Sequence, residues 1–405
     1  YGGGRYLTAL GKIIYRFNGQ YWVPIEKTVL EGQYHSSMVC CQDGSAKKTS
    51  QVIAQVVRTA HDNYNNLSPP PPGHIVCQNG VVDVETGELL PHSSDYFYTS
   101  ASNFEYDPDA TCPLFDAFVE GCAAGEELWE LQYDTMCGYL IAGGYNKVQK
   151  VLTFQGLARS GKTLSAEIIQ DILGYNNVVN SNIDNLMNDK IIAALMDCKL
   201  FVDDDAHTPS GQDMKAIAGF FKKVASGTHF AVKQLYTAVL KQGRLNPKLL
   251  ICCNSVPTIR DSSGGTLSRF HILPFSVSHL GKEDITLIDK LKAEMPGIVN
   301  RMLRGYQDYL KMGLVMCESS KDALEDEKEH VQPLMEIFNN PDLFEYGEDK
   351  KCTQLQVYET VRLRQNIEPE SFGYLEKVGG GNLRKQIRET LLSKGTIQYR
   401  PRTGV

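Results

Sequence analysis

The sequence predicts an α/β fold built on a central parallel β-sheet, and three observations support that prediction. A buried strand at 151–154 runs into a glycine-rich loop and a helix. A second strand, at 199–202, ends in three aspartates, and a third, at 249–253, ends in Asn254. Strands that alternate with helices, as they do here between residues 147 and 315, are typical of a parallel sheet with helices on both faces.

The first strand leads into a loop with the spacing G-x-x-x-x-G-K-[ST]. The loop residues are Gly156, Leu157, Ala158, Arg159, Ser160, Gly161, Lys162 and Thr163. The glycines let successive backbone N–H groups point at phosphate oxygens, and the helix that follows directs its positive dipole end to the same place. In such loops the lysine reaches the β- and γ-phosphates and the threonine hydroxyl binds Mg²⁺. The loop therefore predicts a site for a nucleoside triphosphate and magnesium, with Thr163 as a metal ligand.

The second strand delivers carboxylates to the edge of the sheet where ligands bind in open α/β folds. We assign Asp204 and Asp205 as the pair that holds the metal and polarises water, with Asp204 as the metal ligand. Asp203 is the less favoured member of the three. A simple loop cap would also explain consecutive acids, but their place after a buried strand and downstream of the phosphate loop favours catalysis.

Two further positions fit a hydrolytic site. Asn254 ends the third strand, where an amide orients the attacking water and contacts the γ-phosphate. Arg269 precedes a fourth strand and is a candidate arginine finger that acts on a neighbouring subunit, with Arg260 as a second candidate. Either arginine could instead pair with Asp261.

The segment between Lys215 and Arg260 contains no acidic residue, whereas lysine and arginine recur through it. Glycines at turn positions and His229 among the charges suit a hairpin that contacts a phosphate backbone. Lys233 and Lys241 are the rival tracking residues. A solvated basic face is the simpler alternative.

Composition places the chain among ordinary globular proteins. The 405 residues are 42% hydrophobic and 22% charged, with a formal net charge of −7 and 11 cysteines. No C-x-x-C pair, signal peptide or apolar run long enough to span a membrane is present, so we expect reduced thiols, a cytoplasmic location and no membrane partner. The first residue is Tyr1 and not Met, so we expect a fragment of a longer polypeptide or a processed chain.

The pattern along the chain predicts four parts. Residues 1–145 form an N-terminal α+β and helical region, and 146–315 form the core with the phosphate loop. An acidic linker or helix covers 316–349. Residues 350–405, which are rich in lysine and arginine, form a winged-helix-like module of two short helices and a basic hairpin.

The series of phosphate loop, acidic strand end, basic hairpin, Asn254 and Arg269 resembles the superfamily-three helicases of viruses, phages and plasmids, which are AAA+ ATPases. The stretch from Asn79 to Ser93 and the segment 106–143 resemble the region before the helicase core in phage and poxvirus-type primase-helicases. Three positions depart from the family pattern, which often has Asn at Ser160, Glu at Asp205 and Asp at Thr228.

The resemblance implies an AAA+ core and an ATP-dependent DNA helicase that moves 3′ to 5′ in phage or mobile-element replication. The implied cofactors are ATP and Mg²⁺. The implied partners are single-stranded DNA, a forked duplex, further copies of the chain in a hexameric ring, and a fused or associated primase or polymerase. The location would be the cytoplasm of a bacterial host. A non-unwinding AAA+ initiator or loader is the main alternative, and a P-loop kinase, which needs neither Asn254 nor Arg269, is a lesser one.

Overall fold

The structure is a computed structural model. It describes residues 7–10, 13–39, 46–144, 146–207, 222–233, 240–245, 247–257, 267–281, 284–331 and 354–367, with the single positions 219, 337, 338, 343, 344, 384, 387 and 391. The strands are β1 (Leu7–Leu10), β2 (Ile13–Phe17), β3 (Trp22–Ile25), β4 (His74–Cys77), β5 (Gly80–Asp83), β6 (Leu89–Leu90), β7 (Val151–Gly156), β8 (Val178–Asn180), β9 (Leu200–Asp203), β10 (His229–Lys233), β11 (Leu240–Arg244), β12 (Lys248–Cys253) and β13 (Phe270–Phe275). The helices are α1 (Lys27–Val39), α2 (Ala46–Asn65), α3 (Pro113–Ala123), α4 (Trp129–Ile141), α5 (Lys162–Leu173), α6 (Asp189–Leu195), α7 (Leu287–Ala293), α8 (Met295–Met312), α9 (Glu318–Val331) and α10 (Gln354–Ile367).

The predicted parallel sheet is present and has five strands in the order β13-β7-β12-β9-β8. Strand β12 lies between β7, which leads into the phosphate loop, and β9, which ends at the aspartates. Because all five strands run in the same direction, these polar residues meet at the carboxyl ends of the strands. The α/β prediction is confirmed at this level.

Alternate side chains of the sheet strands face two hydrophobic clusters. Leu152, Phe154 and Phe275 face one cluster, which also contains residues of α3, α4, α5 and α8. Val151 and Ile251 face the other, with residues of α6 and β10 and with α9 packed against it. Both faces are covered, as expected for a parallel sheet.

Three small antiparallel sheets accompany the central one: β1-β2-β3, β4-β5-β6 and β10-β11. The Asn-Gly turn between β2 and β3 is closed by Asn18, whose Oδ1 accepts from the backbone N–H groups of Gln20 and Tyr21, both at 2.9 Å. Gly19 has a φ of 108°, which favours glycine.

Two side chains of α4 donate hydrogen bonds to carbonyls of the terminal strand of the central sheet. Trp129 Nε1 donates to the carbonyl of Pro274 at 2.7 Å, and Gln132 Nε2 donates to the carbonyl of Ile272 at 2.8 Å. Both carbonyls belong to β13, the terminal strand of the sheet. Unpaired carbonyls on an edge strand invite pairing with another chain, and these two donors occupy two such carbonyls.

Arg301 of α8 joins three helices. Its Nε and Nη2 donate to the two carboxylate oxygens of Asp134 at 2.8 and 3.0 Å, while Nη1 donates to Asp116 and Nη2 to Glu130. Asp116 lies in α3, and the other two acids lie in α4. The Arg301 side chain is 10% exposed and that of Asp134 21%, whereas Asp116 and Glu130 are about half exposed, so the fork to Asp134 is the most shielded of these charge-assisted hydrogen bonds.

Replacing Arg301 with lysine should lower the free energy of unfolding by about 2 kcal/mol, because an ammonium cannot form the same planar fork with two carboxylates. Urea unfolding followed by far-UV circular dichroism measures the change. Arg304→Lys, at an exposed position of the same helix, is the matched control. Equal stability of the two variants would contradict a stabilising role for the fork.

Within the stretch 316–349 predicted as an acidic linker or helix, Glu318–Val331 form helix α9, and its Ala323 and Leu324 pack against the second hydrophobic cluster. Most of 332–349 lies outside the described residues. In the predicted winged-helix module, the first helix is present as α10, whose Val357 and Val361 cluster with Ile387. The hairpin predicted at its end lies outside the described residues. Among the residues described, no helix has the length and apolar character needed to cross a membrane.

Candidate functional site

The glycine-rich loop connects the end of β7 to the start of α5, as predicted. Gly156 has a φ of 151°, and a Cβ placed there would lie 2.1 Å from the carbonyl oxygen of Phe275. Gly161 has a φ of 98°, and a Cβ there would lie 2.9 Å from the ring of Phe118. Each glycine is therefore required both by its backbone conformation and by a close neighbour.

The outer part of the loop is held by the segment that follows β13. The backbone N–H of Leu157 donates to Phe275 at 3.3 Å, Ser278 Oγ donates to the carbonyl of Ala158 at 2.9 Å, and the N–H of His279 donates to the carbonyl of Arg159 at 3.0 Å. Arg159 has a φ of 59°, which is uncommon for a residue with a side chain. These contacts fix a strained backbone in one conformation, as is common at binding sites.

Lys162 is the first residue of α5 and is 7% exposed, and its side chain folds back over the loop. Its Nζ donates to the carbonyls of Gly156 at 2.8 Å and Leu157 at 2.5 Å, and lies 3.4 Å from Asn254 Oδ1. Burial lowers the pKa of Lys162 from its ordinary value, while the nearby Asp205 carboxylate acts in the opposite direction. The ammonium is thus held beside the loop, where a phosphate would be its counter-charge.

The three aspartates after β9 have different surroundings. Asp203 is 2% exposed, and its carboxylate accepts from the backbone N–H of Ile183 at 2.7 Å and of Asp205 at 3.3 Å. Burial raises the pKa of Asp203, and these two hydrogen bonds oppose the rise. The Asp203 carboxylate is thus occupied by the backbone of Ile183 and Asp205, whereas Asp204 and Asp205 are exposed, and their assignment as the metal-holding and water-polarising pair stays a prediction.

Residues that could hold Mg²⁺ are Thr163, at the start of α5, and the exposed Asp204 and Asp205. Within the described ranges, no group of three or more His, Cys, Asp or Glu side chains could hold a metal ion. A sparse donor set suits Mg²⁺ bound with a nucleotide, because that ion keeps several waters and binds one or two carboxylates plus phosphate oxygens.

A cavity of about 600 Å³ adjoins the loop. The phosphate loop contributes Arg159, Ser160, Lys162 and Thr163 to its lining, and Leu114 and Phe118 of α3 with Leu287 of α7 contribute apolar side chains. His279 and Asp284 add two further polar groups. Such a lining suits a ligand with a charged end and a flat apolar end. The sequence pattern predicts a helix from Pro113 but not its place beside the loop, because α3 lies some forty residues upstream and carries no motif.

Arg269 lies at the amino ends of the sheet strands, whereas the phosphate loop lies at their carboxyl ends. It precedes Phe270, which pairs with Val151, the first residue of β7. At about 3.3 Å per strand residue, roughly 16 Å separate this level from Gly156. The Nη1 of Arg269 donates to Gln149 at 3.2 Å, and its Nε is buried without an acceptor among the described residues. Arg269 is therefore far from the Lys162 of its own chain. Arg260, the rival finger, lies outside the described residues.

The basic segment contains the predicted hairpin, since β10 and β11 pair in antiparallel fashion. His229 pairs with Arg244 at one end, and Lys233 pairs with Leu240 at the end nearest the connecting loop, next to Lys241. His229 is exposed but lies at the end away from that loop. The side chains of Lys233 and Lys241 lie outside the described part of the chain, so the choice between them stays open.

Comparison with known proteins finds a family match for the N-terminal part of the chain and one distant relative. Residues 2–122 match the family model described as "D5 N terminal like". A protein of Acanthamoeba polyphaga mimivirus named "Putative helicase" is 22% identical over 267 residues, which is 59% of this chain and 27% of that protein. The chain therefore spans about a quarter of the length of this curated relative.

Among solved structures, the apo C-terminal region of NrS-1 aligns with a TM-score of 0.47 and 10% identity, covering 95% of this chain and 84% of that one. A second apo structure of the same region aligns with a TM-score of 0.44. The chain carries a D5 N-terminal-like region and is a distant relative of a viral protein named as a helicase.

Proposed function

We propose that the chain is an AAA+ ATPase of the superfamily-three helicase type, which binds ATP with Mg²⁺ and hydrolyses it. The observation that carries this proposal is the meeting of three sequence-distant elements at one sheet edge. Lys162 of the loop lies 3.4 Å from Asn254 of the next strand, and β9 brings Asp204 and Asp205 to the same edge. The strand order supports the AAA+ assignment, because it places the Asn254 strand between the loop strand and the aspartate strand.

The residues have complementary tasks in this proposal. The loop N–H groups and Lys162 bind the phosphates, and Thr163 and Asp204 hold the magnesium ion. Asp205 polarises the attacking water, which the Asn254 amide orients. Magnesium neutralises charge on the β- and γ-phosphates when it is bound. The apolar wall of the cavity, formed by Leu114, Phe118 and Leu287, receives the nucleobase.

We further propose that hydrolysis drives movement along single-stranded DNA in the 3′ to 5′ direction and separates a forked duplex. Three findings support a helicase: the D5 N-terminal-like match, the distant relation to a protein named as a helicase, and the hairpin of β10 and β11 in the basic segment. In this proposal the active form is a ring of several copies of the chain, and its mass in solution tests that. The ring acts in phage or mobile-element replication together with a primase. A non-unwinding initiator that uses the same ATPase parts is the competing function.

A strand-displacement assay distinguishes the motor from the initiator. The chain should separate a fork with a 3′ loading strand in the presence of ATP and Mg²⁺, and single-stranded DNA should increase hydrolysis. Lys233→Ala should abolish most of the DNA stimulation but leave basal hydrolysis, because a tracking residue contacts DNA and not the nucleotide. Lys190→Ala, an exposed position on α6, is the matched control.

DNA-stimulated hydrolysis without strand separation would favour the initiator. Hydrolysis by a monomer that does not respond to DNA would contradict both functions and favour a kinase. Equal losses of basal and stimulated turnover in Lys233→Ala would indicate a structural role for that lysine.

A further inference from the structure

Helix α3 forms one wall of the cavity beside the phosphate loop, although it lies far upstream in the chain. Leu114, Ala117, Phe118 and Gly121 line the cavity at intervals of three and four residues, so they share one face of the helix. The ring of Phe118 also contacts the position of the missing Cβ of Gly161. The place of α3 therefore sets the width of the apolar half of the cavity.

The first turn of α3 lacks a local cap. Its N-cap residue is Cys112, whose side chain makes no capping hydrogen bond, and Pro113 follows as the first helical residue. The N–H groups of Leu114 and Phe115 instead donate to Glu294, at 3.0 Å each to its Oε2. Leu114 N–H also lies 3.2 Å from Oε1. A carboxylate 180 residues away supplies the acceptor that a helix N-terminus needs.

Glu294 is itself held in relation to the phosphate loop. It lies between α7 and α8, directly after the last residue of α7. Two residues earlier, Lys292 donates to Glu167 at 2.8 Å and forms an ion pair with Asp171 at 3.0 Å. Both acids belong to α5, the helix that begins at Lys162. Lys292 thus joins α7 to α5, and Glu294, which directly follows α7, joins it to α3. Leu287 of α7 lines the cavity.

We propose that Glu294 is a positioning residue for the nucleobase: it holds α3 so that Leu114 and Phe118 stand at the right distance from Leu287. This inference rests on the proposed function, because it needs a nucleotide in the cavity. Glu294 does not line the cavity and acts through the helix it caps. The turn that Glu294 caps carries Leu114, whereas α3 meets the phosphate loop further along, at Phe118 and Cys122. Glu294 therefore governs chiefly the affinity for the nucleoside part of the ligand.

The expected kinetic signature follows from where the base lies. Contacts to the base are the same in the bound substrate and in the transition state, so their loss weakens binding without slowing the chemical step. Glu294→Ala should raise the Kd for ATP and ADP and the KM for ATP about tenfold, with kcat changed less than about twofold. Glu294→Gln, which keeps a neutral acceptor oxygen, should show a smaller increase.

The experiment measures equilibrium binding of ATP, ADP and inorganic tripolyphosphate, together with steady-state hydrolysis. Tripolyphosphate has no base, so its Kd should change by less than about twofold between wild type and both Glu294 variants. Asp289→Ala removes an exposed carboxylate from the neighbouring helix turn and is the matched control for charge. Thermal unfolding in the absence of ligand verifies folding, and Glu294→Gln carries the test if the alanine variant does not fold.

Three outcomes separate the possibilities. A tenfold loss for ATP and ADP with unchanged tripolyphosphate binding supports the positioning role. Equal losses for all three ligands, or unchanged ATP binding in both variants, would overturn it while leaving the ATPase proposal intact. Absence of ATP binding by the wild-type chain would overturn the proposed function itself, and this inference with it.

Discussion

Lys162→Ala should reduce ATP hydrolysis by roughly 10³-fold or more, because it removes the cation that stabilises charge developing on the transferred phosphoryl group. Lys162 Nζ lies beside the loop, where it donates to the carbonyls of Gly156 and Leu157 and approaches Asn254, so a bound phosphate would replace these acceptors as its partner. The measurement is steady-state phosphate release at saturating ATP and Mg²⁺, with kcat and KM determined separately.

The matched control is Lys190→Ala, which removes an exposed lysine from α6 and should hydrolyse ATP like wild type. Unfolding curves of both variants verify that the loop mutation leaves the fold intact. Hydrolysis by Lys162→Ala at a rate close to that of wild type would contradict the assignment of the loop as the catalytic phosphate site.

Arg269→Ala should also reduce hydrolysis about 10³-fold, for a different reason. Arg269 lies at the amino ends of the sheet strands, away from its own phosphate loop, so an arginine finger at this position must act on a neighbouring subunit. Mixing this variant with Lys162→Ala tests the idea directly. Some interfaces then combine an intact Lys162 with an intact Arg269 from the next subunit.

In an equimolar mixture, roughly a quarter of the interfaces of a head-to-tail ring are complete, so hydrolysis should recover to about that fraction of the wild-type rate. Each variant alone, at the same total concentration, is the control. No recovery on mixing, with ring formation verified by light scattering, would count against action in trans and would favour a structural role through Gln149.

The local parts of the site follow from sequence, because each is specified by neighbours along the chain. The loop needs glycine at Gly156 and Gly161, because the backbone conformation and close neighbours require it there. The buried strands predict where the aspartates and the asparagine that follow them will lie. The roles of Lys162, Asp204 and Asp205 remain predictions that the geometry allows.

Contacts made by tertiary packing carry no such local signal. The acceptor for the first turn of α3 is Glu294, and the donors that cover β13 are Trp129 and Gln132 of α4. Each partner is more than a hundred residues away in sequence. Nothing in the spacing of the intervening residues selects one partner over another, so only the assembled fold reveals these pairs.

The border between the recognised upstream region and the core passes through the ligand cavity. The matched region ends at residue 122, one residue before the end of α3, yet Phe118 from that helix packs on Gly161 of the phosphate loop. A fragment that begins after Ala123 would keep every nucleotide-binding motif and lose a wall of the cavity. Exchange of the upstream region between related proteins would therefore alter nucleotide affinity, and the two regions should change together during evolution.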